Sequence, residues 1–210
     1  MAHSKSSFGT LVQYLSYNIW MNFHKPLIRG LLECLLSAAL YMGFFYFNNY
    51  ITASIEDAQG VNWIFIPAGL RIFLTLIFDF AGAAGLVLAS LLINYIGFYE
   101  ADLVTNLGIG VICGLAPLLG RHFVIHNLKV SPDLSNINMQ QLLGSITAYS
   151  FLSSGLHQLW FVARGLDSGS ANHFIAMFIG DMAGSILFIA IIKYGIDFVK
   201  QKNNRTNLLD

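Results

Sequence analysis

Six stretches of this 210-residue chain meet or approach the roughly 20 mainly apolar residues that carry a helix across a bilayer. They lie at positions 27–47, 62–78, 80–98, 103–119, 139–163 and 173–195. Lipid offers backbone N–H and C=O groups no partner, so segments of this length cross it as helices. The expected fold is therefore all-α: a polytopic membrane protein, a bundle of about six transmembrane helices over 27–195. Only 10% of the residues are charged, against about 25% in soluble domains.

The flanks are read separately. Over 8–23, Phe8, Leu11, Val12, Leu15, Ile19 and Phe23 recur at helical spacing with Gln13, Ser16, Tyr17 and Asn18 between them. That predicts an interfacial amphipathic helix within the N-terminal segment 1–26. No cleavable signal peptide is expected, because the first apolar stretch begins after Lys25 and Pro26 and no A-x-A site follows it. Residues 196–210 form a polar tail. Cys34 and Cys113 both sit in apolar runs and read as small buried hydrophobes, not as a disulfide or metal pair. The balance of 11 basic and 11 acidic residues argues against nucleic acid, whose binding surfaces are basic.

Charge placement orients the chain. With six spans, Lys5, Lys25, Arg29, Arg121, Lys129, Lys193, Lys200, Lys202 and Arg205 all fall on one side. The other side carries Glu56, Asp57, Glu100, Asp102 and Asp167, with Arg164 as its single basic residue. The positive-inside rule then places both termini and the 120–138 loop in the cytoplasm of a cell whose inner membrane holds the protein. Asn138 with Gln141 predicts a capping box opening the fifth span. The second and third spans are divided only at Asp79 and should form a tight re-entrant pair or hairpin.

One span departs from the simple pattern. Residues 61–80 carry Trp63, a Pro-Ala-Gly break at Pro67 and Gly69, and Arg71 near the middle. Arginine at bilayer depth costs about 2.5–3.5 kcal/mol on insertion scales, so a partner is expected. At about 1.5 Å per residue, Arg71 lies roughly 13 Å and Asp181 roughly 12 Å below the outer surface. Two roles are open: an ion pair that fixes helix packing, or the floor of a polar pocket facing outward. Asn62, Trp63, Asn106 and His157 are the candidate neighbours for a ligand site with Arg71 and Asp181. Trp160 fits an interfacial aromatic belt, and Glu33 pairs with Arg29 four residues earlier. Close helix contacts are expected at Gly110 and Gly114, at Gly180 and Gly184, and along Ala81, Gly85 and Ala89. Pro67 is expected to free a carbonyl beside Arg71.

Catalytic readings find little support. Ser153, Ser154 and His157 lie on one helix, without the GxSG element and separate histidine span of rhomboid-type proteases. Residues 178–181, FIGD, lack the first glycine of an aspartyl GxGD element, and Asp79 belongs at the opposite membrane face. His122 and His126 have helical spacing, but no carboxylate or cysteine joins them as a metal ligand. There is no Walker loop or nucleotide fingerprint. No enzyme, cofactor or metal is expected.

The stretches WIFIPAGLRIFLTLIF with FAGAAGLVLASLLIN, and FIGDMAGSILFIAIIK with Gly180, Asp181 and Gly184, resemble two spans of MASE1-type membrane sensory domains. Gly110 and Gly114 ahead of Arg121 stand where that family has a similar helix. The resemblance covers roughly 27–195. It departs in having one proline, a tryptophan four residues before Pro67, and six spans where eight are common. It implies a sensory domain that binds a small ligand in its outer half. No output domain follows in this sequence, so signalling would need a separate kinase or cyclase. The alternative expectation is a small-solute transport subunit, such as the substrate-binding component of an energy-coupling-factor importer, working with an ATPase module. A membrane assembly factor without a ligand is a third.

Overall fold

The computed structural model describes residues 26–97, 102–130 and 138–206. The expected helix over 8–23, positions 131–137 of the long loop and Glu100 lie outside the described residues, and positions 120–127, expected in that loop, belong to the helix before it. With backbone groups satisfied inside each segment, the apolar stretches form five helices: α1 (Pro26–Thr52), α2 (Pro67–Tyr95), α3 (Leu103–Asn127), α4 (Met139–Arg164) and α5 (Ala171–Thr206). Between α1 and α2 a short 3-10 turn leads into a small antiparallel hairpin, β1 (Glu56–Ala58) and β2 (Val61–Asn62).

Helix α2 contains a reversal. Asp79 has φ 50° and ψ −125°, outside helical space. Beyond it the chain folds back, so that a Cβ on Gly82 would stand 2.4 Å from the Leu74 carbonyl oxygen. The two arms, 67–78 and 80–95, are the hairpin expected at Asp79. Arg121 near the end of α3 reaches the Asp79 carboxylate at 3.4 Å and ties the tip to that helix.

The first arm runs antiparallel to α1: the Ile66 amide donates to Asn48 Oδ1 at 2.9 Å, and Arg71 meets Tyr41 one helical stretch further in. The second arm packs Gly85 against the Cys34 carbonyl and Ser37 of α1. On its other side, Gly110 and Gly114 of α3 lie against Leu91, Val87 and Ala83, as small-residue stripes should. Helix α4 opens with the expected capping box, Asn138 and Gln141 each accepting the other's backbone N–H at 2.9 Å. It ends at Gly165, whose φ of 68° suits only a residue without a side chain. Helix α5 then packs on α4 and on the first arm of α2.

Two expectations about the second span need correction. Helix α2 begins at Pro67, not at 62, and Pro67 occupies its first turn. Its missing N–H is no loss there, so it frees no carbonyl beside Arg71. Residues 63–66 are instead an irregular lead-in, held by the Asn48 side chain and the Gly180 carbonyl. The other correction concerns Gly180 and Gly184, which do not face a helix. A Cβ on either would stand 1.9 Å from a backbone carbonyl, of Asn62 and Phe65 respectively. The Phe65 amide also donates to the Gly180 carbonyl at 3.1 Å. The glycine face of α5 is a seat for this lead-in.

Among the described residues, four helical segments are long and apolar enough to cross a membrane: Pro26–Ile55, Pro67–Tyr95, Leu103–Asn127 and Ala171–Gly195. Helix α4 is less apolar on average because it carries Ser145, Ser150, Ser153, Ser154, His157 and Gln158, yet all of these are buried. Its exposed large side chains between the two ends are apolar, Leu143, Phe151, Leu159 and Val162, while the exposed polar Gln140 and Arg164 lie at the ends and Thr147 turns its hydroxyl onto the Leu143 carbonyl. Polar residues inward and apolar residues outward is the arrangement of a helix whose surroundings are not water.

Candidate functional site

Arg71 lies in the second turn of α2, and the way it is buried defines the site. It is 6% exposed. The lead-in 63–66 and the β-hairpin stack above it, which supplies the depth that helix length alone would not. Its Nε donates to the Tyr41 hydroxyl at 3.0 Å, and Nη2 donates to the same oxygen. The guanidinium carbon stands 4.9 Å from the Tyr41 ring centre and 5.0 Å from that of Phe65. Two aromatic faces and one hydroxyl thus hold the cation, a geometry worth about 2 kcal/mol or more per ring when desolvated. Nη1 is left without a hydrogen-bond partner.

Asp181 faces Arg71 from α5 and is 1% exposed. The two act on each other electrostatically. They form no direct ion pair: among the described residues the pairs are Arg29–Glu33, Arg121–Asp79, Arg164–Asp102 and His173–Asp57. Asp181 Oδ2, like Arg71 Nη1, has no hydrogen-bond partner. Between them is a cavity of about 30 Å³, lined also by Asn62, Phe65, Ser90, His157 and Met177. That volume admits one or two waters or a small ion.

Of the residues expected at the site, Arg71, Asp181, Asn62 and His157 meet in this cavity. Trp63 does not. It points away and is 41% exposed. Asn106 is also elsewhere, in the first turn of α3, where its carbonyl accepts from Asn94 Nδ2 at 3.4 Å. Pro67 and Gly69 shape the approach, since a Cβ on Gly69 would collide with Phe188 and Ser185 of α5. His157 Nδ1 lies 2.8 Å from the Ser153 carbonyl, which fixes its ring on α4.

Sequence reasoning missed Tyr41 and Phe65, the residues that hold Arg71. It also missed Asn48, whose side chain serves the Ile66 amide and lies within hydrogen-bond distance of Thr52. The signal for Asn48 was an amide within an apolar run, facing the same way as Tyr41 seven residues earlier. The serine-rich interior of α4 is a further surprise: Ser150, Ser153 and Ser154 are fully buried, as is Ser185 of α5, with the hydroxyls of Ser150, Ser154 and Ser185 unpartnered, while Ser153 lies against Asp181 and the Tyr149 hydroxyl against Arg71.

A separate polar cluster joins the start of α3 to the end of α4, next to the site. Asp102 caps α3, accepting from the Val104 and Thr105 amides at 2.9 and 3.2 Å and from the Thr105 hydroxyl at 2.7 Å. Arg164 reaches the same carboxylate at 2.9 Å, and Trp160 donates to the Thr105 carbonyl at 3.1 Å. The Thr105 hydroxyl foremost, then Arg164, hold the Asp102 carboxyl well below the usual carboxylate range. The Arg29–Glu33 pair forms as expected, at 2.8 Å. His122 and His126 stack at 3.9 Å near the end of α3, and among the described residues no cluster suited to a metal occurs. Compared with protein-family models, with curated proteins and with solved structures, the chain gives no match.

Proposed function

We propose that the protein is a six-span inner-membrane sensor, similar to a MASE1 domain, that binds a small anionic ligand beside Arg71 in its outer half. The six membrane segments are α1, the first arm of α2 together with its lead-in, the second arm, α3, α4 and α5, with both termini cytoplasmic. One observation carries the reading: a buried guanidinium is braced on one side by Tyr41 and Phe65 and unpartnered on the other, at a cavity. An arginine serving packing alone would be expected to close on Asp181. Buried charges left with open hydrogen-bonding capacity are costly and mark a place for a partner.

Ligand binding at Nη1 pulls the guanidinium away from Asp181 and alters how the first arm of α2 sits on α5. Helix α5 runs on to the cytoplasmic face, where a separate kinase or cyclase would read the change. The transport alternative is less well supported. Drug- or vitamin-sized ligands need pockets of roughly 300–1,000 Å³, and this cavity is about 30 Å³.

The test is saturable anion binding by the purified protein in nanodiscs, read as a ligand-induced rise in Tm. Wild type should show the rise for at least one small anion, and Arg71→Gln should lose at least tenfold in affinity while still folding. Equal binding by Arg71→Gln would remove Arg71 from the site. A partner kinase or cyclase should co-purify; a transport ATPase doing so instead would favour the transport reading.

A further inference from the structure

The cavity holds one positive and one negative side chain, and each keeps one open polar atom: Arg71 is bonded to Tyr41 through Nε and Nη2, and Asp181 has Ser153 beside it. Arg71 and Asp181 are each more than nine-tenths buried, and Nη1 of one and Oδ2 of the other lack partners. Their charges cancel as they stand. An anion docking at Nη1 brings a second negative charge into a space that already contains a carboxylate. Two such charges at close quarters in a poorly solvated site do not both persist, and the ordinary resolution is that one takes up a proton.

The surroundings decide which group takes it. Asp181 is faced by Arg71 of α2 and by Tyr149 and His157 of α4. Tyr41 of α1 and Cys113 of α3 stand behind Arg71. From the hairpin, Asp57 is engaged with His173 at 3.6 Å. None of these supplies a spare positive charge. His157 already holds the Ser153 carbonyl and has the guanidinium as its charged neighbour. A proton on His157 would sit beside that cation, whereas a proton on Asp181 removes the negative charge nearest the incoming anion. Protonated, Asp181 also becomes a donor towards the ligand.

We infer that this cavity takes a small monoanion, of the size of chloride, nitrate or formate, together with one proton carried on Asp181. The inference rests on the cavity being a ligand site, and adds the class of ligand and its coupling to pH. The size limit follows from the volume of about 30 Å³. The proton comes from solvent and no covalent step is involved.

The experiment titrates nitrate and chloride, neither of which changes charge in the range used, into the full-length protein in nanodiscs from mildly acidic to mildly alkaline pH. Wild type should bind more tightly at lower pH, with Kd rising about tenfold per pH unit once Asp181 is ionised in the free protein. In weakly buffered solution it should take up one proton per anion bound. Asp181→Asn should bind with no pH slope and no proton uptake, and Arg71→Gln should show no saturable binding. His157→Gln should retain the slope. Binding by wild type without pH dependence or proton uptake overturns the coupling but leaves the cavity as a ligand site. A slope that survives Asp181→Asn also overturns it. Failure of wild type to bind either anion at any pH overturns both this inference and the functional reading beneath it. Proton uptake is measured on wild type, so the test holds even if Asp181→Asn fails to fold.

Discussion

Gly184 shows how a single hydrogen atom in place of a side chain organises this site. A Cβ there would stand 1.9 Å from the Phe65 carbonyl oxygen and 2.1 Å from its carbon, and both are backbone atoms that cannot swing aside. The lead-in would have to move, and with it Phe65 from the face of Arg71. Gly184→Ala should therefore lower stability by roughly 1–3 kcal/mol, the range for overpacking, and weaken ligand binding with it. Gly43→Ala is the control. Nothing lies within 4 Å of a Cβ at that position of α1, and the substitution should be neutral or stabilise by up to about 1 kcal/mol. Thermal unfolding in detergent separates the two, and equal Tm values for both variants would refute the contact. At this scale the sequence was legible where chemistry contrasts with its surroundings. Arg71 and Asp181 stand out as charges in apolar runs. Tyr41 and Phe65 do not, because aromatic residues are ordinary there, and only the fold shows that their rings enclose a cation.

Among the elements, α2 departs furthest from an unbroken span. Its 29 residues are long enough to read as one crossing, but Asp79 turns it into two arms. The backbone there, φ 50° and ψ −125°, matches the first central position of a type II′ turn, where glycine is favoured and a β-branched residue is strained. Asp79→Gly should keep its Tm within the small change expected from losing a half-exposed pair with Arg121, about 0–1 kcal/mol. Asp79→Val should lose roughly 1–3 kcal/mol more. Equal unfolding temperatures for the two variants would argue against a reversal at this residue. The hairpin was legible because a charged residue interrupts an apolar run too long for one span. The β1–β2 hairpin and the lead-in were not. Val61, Trp63, Ile64, Phe65 and Ile66 are as apolar as the helix they precede, and hydropathy cannot tell an irregular apolar segment from the first turns of a span.

For the whole molecule, the reversal at Asp79 decides where every later segment lies. If α2 crossed once, the α2–α3 connection and the end of α3 would exchange sides. Under the proposed six-segment topology, Ile96 and Asp167 would lie on the outer side and Asn127 on the cytoplasmic side. The charges favour the second arrangement: Arg121 and Lys129 then join the basic side, while Asp102 and Asp57 stay opposite. Helix α4 fits it too, since its apolar outer face and buried serines suit a segment within the bilayer despite its modest average hydropathy. Single cysteines at these exposed positions, with Cys34 and Cys113 replaced by alanine, give a direct measurement. A membrane-impermeant maleimide applied to spheroplasts should label Ile96→Cys and Asp167→Cys. It should label Asn127→Cys only after the membrane is opened. A single crossing by α2 predicts a different outcome, with Ile96→Cys protected and Asn127→Cys labelled from outside. That result would place Arg121 and Lys129 outside and overturn the proposed outward orientation of the cavity.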